Sequence, residues 1–288
     1  MKIGVIDVGT NAAKLKIYEV KGEEISTLYQ SRIPLRLGDD VFDNEYISGR
    51  KKKQFIHTIQ AFYSTCLAFE VDKTRAVATS AMRIAKNANE IVDEIKSNTQ
   101  LVLEVITGNE EANLIQEGFG LLQFDKNKPY LVIDVGGGST EISIFENGEK
   151  IAAKSFELGA IRLLRNKESK TIWQELEAWL KDSIGSLTDI LVFGTGGNIN
   201  KVEKILSTSN NDTISLPKIK ELHQSMLPLS FRERMKRFDL KADRADVIVP
   251  AMEIFIFILE KLQVNSISIP KIGLSDGIIV DSIKQNKN

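Results

Sequence analysis

Cysteine is nearly absent from this chain: Cys66 is the only one in 288 residues. No intrachain disulfide can form, and a structural zinc site has too few thiolates. Histidine is almost as rare, with only His57 and His223, neither with a metal-ligand partner at helical spacing. Neither sign of charge is in excess, since 38 Lys and Arg face 39 Asp and Glu. Duplex nucleic acid and acidic membranes therefore find no broad basic footprint. No apolar run is long enough to span a bilayer comfortably; the most apolar, VIVPAMEIFIFILEKL (247–262), carries Glu253 and Glu260 and reads as a core helix. The N-terminus enters a strand pattern at once, without the apolar h-region of a signal peptide. A cytoplasmic, reducing location is the expectation.

What the chain does have is a repeat. The pentapeptide VIDVG occurs at 5–9 and again at 132–136. Aligning Val5 with Val132 keeps register: Leu15, Ile17 and Tyr18 fall opposite Ile142, Ile144 and Phe145, and a glycine turn follows in both copies (KGEE 21–24, NGEK 147–150). Each copy reads as strand, acidic glycine turn, strand, turn, strand, with the period-two alternation of half-buried strands. Amphipathic helices follow at 49–70 and 171–187, and further strands are expected at 75–83, 101–108 and 189–197. Trp173 and Trp179 fit burial in the second helix. Alternating strands and helices imply α/β layers, and two copies imply two similar lobes with a cleft between them. The polar DKNKP (125–129) is the expected junction, giving lobes of 1–125 and 126–288, with the last helix a candidate to pack back on the first lobe. The segment 207–215 reads as a surface loop.

The two acidic glycine turns are the chemical core of the sequence. Glycine lets consecutive backbone N–H groups point at one focus, and such concave arrays hold phosphate oxygens. DVGGGST supplies Gly136, Gly137 and Gly138 with the hydroxyls of Ser139 and Thr140; DVGTNAAK supplies Gly9, Thr10, Asn11 and Lys14. Asp7 and Asp134 close equivalent strands, and Glu141 follows seven positions after Asp134. Carboxylates beside phosphate suit Mg²⁺ or its waters rather than the phosphate itself. In the repeat register Lys14 lies opposite Glu141, so the lobes offer opposite charges at matched positions. The basic run GRKKK (49–53) reads first as a solvated helix start and, more sharply, as a basic rim with Arg32 and Arg36.

Five segments then occur in a telling order: IDVGTNAAKL (6–15), AVATSAMRIAKNANE (76–90), VITGNEEANLIQEGF (105–119), LVIDVGGGSTEISIF (131–145) and VFGTGGNINKV (192–202). With LGAIRL (158–163) and ADRADVIVPAMEI (242–254), the chain resembles the exopolyphosphatase/guanosine pentaphosphate phosphohydrolase (Ppx/GppA phosphatase) family. The resemblance implies two actin-like (ribonuclease H-like) lobes of the sugar-kinase, heat-shock-chaperone and actin superfamily. It implies Mg²⁺-dependent release of terminal phosphate from inorganic polyphosphate, or of the γ-phosphate from guanosine pentaphosphate. Matched to the family pattern, Glu111 of TGNEEA is the base and Arg83 contacts substrate phosphate. Asp7, Asp134 and Glu141 support the metal; Gly9, Thr10, Asn11, Lys14 and Gly136 to Thr140 bind phosphate. Gly194, Gly196 and Gly197 match the motif that lies near adenosine in the superfamily's kinases, and are taken as phosphate-binding here.

On a helix Glu110 and Glu111 lie about 100° apart, so one alone can face a substrate. Glu110 is read as a first-turn acid that complements the helix dipole. Two departures stand out: Ala12 replaces a serine of the family's first motif, and GLSDGII (273–279) lacks an arginine that many members carry. Longer members add an HD domain, which two histidines cannot furnish. Fewer contacts to a long polymer follow, favouring short polyphosphates or the nucleotide. The alternatives are an alarmone-binding regulator with little catalysis, or a phosphotransferase of the same superfamily; a homodimer is left open.

Overall fold

The computed structural model describes residues 1–206 and 212–285. The chain divides into two compact units, Met1–Leu121 joined by the stretch from Leu274 onward, and Leu122–Gly273.

In the first unit, strands β1 (Lys2–Val8), β2 (Ala12–Lys21), β3 (Glu24–Pro34), β4 (Lys73–Ala78) and β5 (Leu103–Val105) form one sheet in the order β3-β2-β1-β4-β5. β1, β2 and β3 run antiparallel, whereas β4 is parallel to β1 and β5 to β4. The helices are α1 (Leu37–Asn44), α2 (Gly49–Ala68), α3 (Ser80–Ile84), α4 (Ala88–Thr99) and α5 (Gly108–Phe119). β1 is buried at every position after Lys2, as expected of a central strand covered on both faces. Its Ile6 and Val8 join a core that includes Leu15, Ile17, Phe55, Ile59 and Phe62. Cys66 lies in that core, and burial pushes its thiol pKa up.

The second unit repeats the plan. β6 (Tyr130–Val135), β7 (Thr140–Glu146), β8 (Glu149–Phe156), β9 (Leu191–Thr195), β10 (Thr213–Ser215) and β11 (Ser266–Ser268) are ordered β10-β11-β9-β6-β7-β8. The meander β6-β7-β8 matches β1-β2-β3, and β9 lies parallel to β6 as β4 does to β1. Around it lie α6 (Ala160–Leu164), α7 (Ile172–Ile184), α8 (Gly197–Leu206), α9 (Leu216–Met226), α10 (Phe231–Phe238), α11 (Ala242–Ala245) and α12 (Ile248–Lys261). Tyr130 stacks on Phe145 at 4.4 Å between centroids, and both tryptophans meet rings, Trp179 on Phe156 and Trp173 on Phe257. The apolar run at 247–262 forms α12, a core helix with Pro250 in its first turn, where a missing N–H is tolerated. Among the described residues no helix is long and apolar enough to cross a membrane.

The remaining helix, α13 (Leu274–Gln285), belongs to the first unit and packs on α5. Asp276 accepts from Lys16 Nζ at 2.8 Å and Tyr18 Oη at 2.9 Å, and Asp281 pairs with Arg75. A Cβ at Gly277 would fall 1.6 Å from the Leu114 carbonyl, so the two helices touch where there is no side chain.

Several expected boundaries shift. The strand expected at 75–83 ends at Ala78; Thr79 donates its N–H to Val8, and its carbonyl then accepts from Met82 and Arg83, which starts α3. Only Leu103–Val105 of 101–108 pairs, because Thr107 is already the cap of α5. Of the loop expected at 207–215, residues 207–211 lie outside the described residues, and Thr213–Ser215 is a strand paired with Ser266–Ser268.

Candidate active site

The loop after β6 is held from behind by α6. Ala160 N–H donates to the Gly136 carbonyl at 3.0 Å, and Ile161 and Arg162 N–H donate to that of Gly137 at 2.8 and 3.1 Å. The Arg162 guanidinium donates through Nε to the Gly138 carbonyl at 2.9 Å. No described peptide is cis. In a trans peptide the C=O and the next N–H point in opposite directions. Three carbonyls turned toward α6 therefore turn the N–H groups of Gly137, Gly138 and Ser139 away from it, the arrangement of donors that suits an oxyanion. Gly159 makes this possible: a Cβ there would lie 2.5 Å from the backbone of Gly138 and Ser139. Sequence reasoning had no signal for Gly159 or Arg162 beyond their place in LGAIRL.

The loop after β1 is built to the same plan. Gly9 N–H donates to the Ala12 carbonyl at 3.0 Å, as Gly136 N–H does to that of Ser139 at 2.9 Å. Its Thr10 carbonyl accepts from Gly38, and its Asn11 carbonyl from Leu35 and Arg36. The N–H groups of Asn11 and Ala12 thus point away from α1. Ala12 lost a hydroxyl but keeps the backbone donor.

The strands beside the loops differ in charge. Across the first sheet Asp7, Lys14 and Arg32 occupy directly opposed positions; in the second the equivalent row is Asp134, Glu141 and Ser155. Lys14 Nζ pairs with Asp7 Oδ2 at 3.0 Å, which neutralises the carboxylate named as a metal ligand. Asp134 instead faces a second carboxylate. Like charges at directly opposed positions are unfavourable in a sheet, and a cation relieves them. One oxygen of each is fixed: Thr195 Oγ1 donates to Asp134 Oδ1 at 2.8 Å, and Ser155 Oγ to Glu141 Oε1 at 2.7 Å. A hard divalent ion suits such a pair of carboxylates.

Other named residues separate by what they touch. Thr140 is fully buried and its hydroxyl donates to the Leu158 carbonyl, so it ties the loop to the chain behind it instead of offering a donor to phosphate. Gly194 is buried in β9, where a Cβ would lie 2.7 Å from Ile267 Cδ1; packing explains that glycine. Gly196 has φ of +100°, and a Cβ there would lie 2.9 Å from Asp134 Oδ1. Gly197 opens α8 under the Arg244 guanidinium, which donates to Asn198 Oδ1 at 2.7 Å.

In the first unit the paired acids part company. Glu110 closes a capping box with Thr107, accepting from its N–H at 2.7 Å; the Thr107 bonds hold its carboxyl below the ordinary value. Glu111, one residue on, is buried, and its Oε2 lies 2.9 Å from Arg83 Nη1. Arg83 also donates to the Ile106 carbonyl at 3.0 Å, so α3 and the start of α5 share one guanidinium. Two of the four GRKKK cations are committed: Lys51 donates to the Leu35 and Arg36 carbonyls, and Lys52 pairs with Glu90 and Glu94. Arg36 is bound to Asp39 through two nitrogens. His57 meets Gln60, and burial followed by the nearby Arg234 lowers the pKa of His223.

A model of the Ppx/GppA phosphatase family matches residues 16–286. Among curated proteins, the guanosine-5'-triphosphate,3'-diphosphate pyrophosphatases of Aeromonas hydrophila subsp. hydrophila and Aeromonas salmonicida are each 24% identical over 296 aligned positions. The alignment covers 98% of this chain but 59% of theirs, so the chain spans about three fifths of the length of these relatives. Among solved structures, an exopolyphosphatase from Cytophaga hutchinsonii superposes with a TM-score of 0.87 at 23% identity, covering 99% of this chain and 98% of that one. The Aquifex aeolicus Ppx/GppA family member gives 0.79 at 22% identity, covering 100% and 99%. At these identities the structures establish a shared fold.

Proposed function

The chain belongs to the Ppx/GppA phosphatase family, and we propose on that premise that it is a Mg²⁺-dependent phosphoanhydride hydrolase acting on inorganic polyphosphate or guanosine pentaphosphate. The observation that carries this reading is the pairing, in one unit, of an outward-facing N–H array at 137–139 with the opposed carboxylates Asp134 and Glu141. An array of donors recognises a phosphoryl group, and the two acids supply oxygen ligands for an ion beside it. Bound there, Mg²⁺ would neutralise charge on the phosphoryl oxygens.

The chain's own groups divide the remaining work. The N–H groups of Gly137, Gly138 and Ser139 hold the oxygens of the departing phosphoryl group, which suits a reaction that depends mainly on positioning and charge stabilisation. Glu111 orients the attacking water and accepts its proton, while Arg83 fixes the Glu111 carboxylate and presents its remaining donors to substrate phosphate. Asn11, Ala12 and Lys14 of the first unit hold a further phosphate of the substrate. The curated relatives named as guanosine pentaphosphate pyrophosphatases and the fold relative named as an exopolyphosphatase support both substrate classes.

The test is phosphate release from tripolyphosphate, long polyphosphate and guanosine pentaphosphate, with and without Mg²⁺. Glu111→Gln should lower kcat at least about 100-fold, the usual scale of a general base, with KM little changed. Release from none of the three substrates would refute the proposal. Full activity in Glu111→Gln would refute the assignment of the base alone.

A further inference from the structure

We infer that Arg162 is the positioning residue of the phosphate loop: through Nε it fixes the Gly138–Ser139 peptide so that the Ser139 N–H faces the bound anion. The inference rests on the functional reading above and adds a residue to it.

The two copies of the loop supply the argument. In the first unit the third loop carbonyl, Asn11, is held by the backbone N–H groups of Leu35 and Arg36, at 3.1 and 2.8 Å. In the second unit the equivalent carbonyl, Gly138, is held by the side chain of Arg162 at 2.9 Å. A fixed backbone contact in one copy is thus replaced by a cation in the other. That cation is 8% exposed, and its Nη1 lies 3.4 Å from the largely exposed carboxylate of Glu157. Burying a guanidinium is costly unless charge and hydrogen bonds compensate it, and an oxyanion held by the loop above would add to that compensation.

Geometry also links the side chain to the array. The Arg162 N–H donates to the Gly137 carbonyl at 3.1 Å, and its Nε to that of Gly138 at 2.9 Å. One residue therefore sets two successive peptides, and through them the N–H directions of Gly138 and Ser139. Gly159 allows the close approach that brings α6 under both. Loss of the side chain frees the second peptide to rotate, and the array loses one donor together with the charge behind it.

The experiment compares the wild-type protein with Arg162→Met and Arg162→Lys, reading the rise in Tm caused by tripolyphosphate in excess EDTA, where metal-dependent turnover is suppressed. Binding to the native state raises Tm, and the rise grows with the logarithm of affinity. Wild type should show a clear rise, Arg162→Met little or none, and Arg162→Lys an intermediate one, whatever each variant's own Tm without ligand. Turnover assays in Mg²⁺ should show KM for tripolyphosphate raised at least about 10-fold in Arg162→Met, one charge-assisted hydrogen bond's worth. A purely structural role would lower the ligand-free Tm but leave the ligand-induced rise intact, and that result would overturn the inference alone. No rise and no hydrolysis in wild type would overturn the phosphate-loop reading and this inference with it. Should Arg162→Met fail to fold, Arg162→Lys decides: a rise equal to wild type refutes the role, a diminished one supports it.

Discussion

At the scale of single residues, identical letters in a motif carry different duties. Gly194 and Gly196 stand two apart in one GTG stretch, and the sequence alone gave no means of separating them. Gly194 faces Ile267 in the core, whereas Gly196 combines a φ of +100° with close approach to the Asp134 carboxylate. Gly194→Ala should therefore cost about 1 to 3 kcal/mol through overpacking, seen as a lower Tm with Mg²⁺ dependence unchanged. Gly196→Ala strains the backbone and presses on Asp134, so the Mg²⁺ concentration for half-maximal phosphate release should rise about 10-fold. Equal Mg²⁺ dependence in the two variants would show that Gly196 has no link to the acid. Glu110 and Glu111 were separable from sequence in part, because helix geometry allows one alone to face a substrate. The capping box with Thr107 supplies the physical reason that Glu110 is the one set aside. Thr140 was not legible in the same way: a hydroxyl in a phosphate-loop pattern looks like a donor until its carbonyl partner, Leu158, is located.

Among the elements, the repeat was readable because period-two burial and acidic glycine turns survive in both copies, and the strand orders β3-β2-β1 and β8-β7-β6 follow from them. Element ends were less readable, since they depend on local hydrogen bonds: Thr79 turns a strand into α3, and Thr107 starts α5. The last helix was a candidate to pack back on the first lobe, but its particular partner, α5, could not be read, because helix packing leaves no periodic trace of which neighbour is chosen. That choice rests on Gly277, whose missing side chain admits the Leu114 carbonyl of α5. The contact is backbone on backbone, so no rotamer change can relieve a new methyl group. Gly277→Ala should destabilise the first unit by about 3 kcal/mol, the upper end of the usual overpacking cost. Chemical denaturation of wild type and variant measures it; a loss below about 0.5 kcal/mol would mean that the helices separate at little cost. Asp276→Asn should do less harm, because an amide oxygen still accepts from Lys16 and Tyr18.

For the molecule as a whole, the proposed function makes charge decide how a polyanion would be captured. A net charge of −1 offers no long-range attraction to a chain of phosphates. The basic run at 49–53 makes good only part of that deficit, since Lys51 holds carbonyls and Lys52 holds two glutamates. Binding energy must then come from short-range contacts at the loops, which engage only the few phosphates nearest the chain end. Expressed per chain end, kcat/KM should therefore differ less than about 3-fold between tripolyphosphate and polyphosphate of some hundred residues. It should also fall only modestly as ionic strength rises from about 0.05 to 0.2 M, over which the Debye length roughly halves. A protein with an extended basic track would behave otherwise, because each additional ionic contact steepens the salt dependence. Phosphate release on the two substrates at two salt concentrations measures both effects. A rise of kcat/KM with chain length that collapses in salt would show that cations beyond the loops hold the polymer. Arg50 and Lys53, the members of the run without an ion pair to Glu90 or Glu94 or a carbonyl bond of the Lys51 kind, would then be the first to replace.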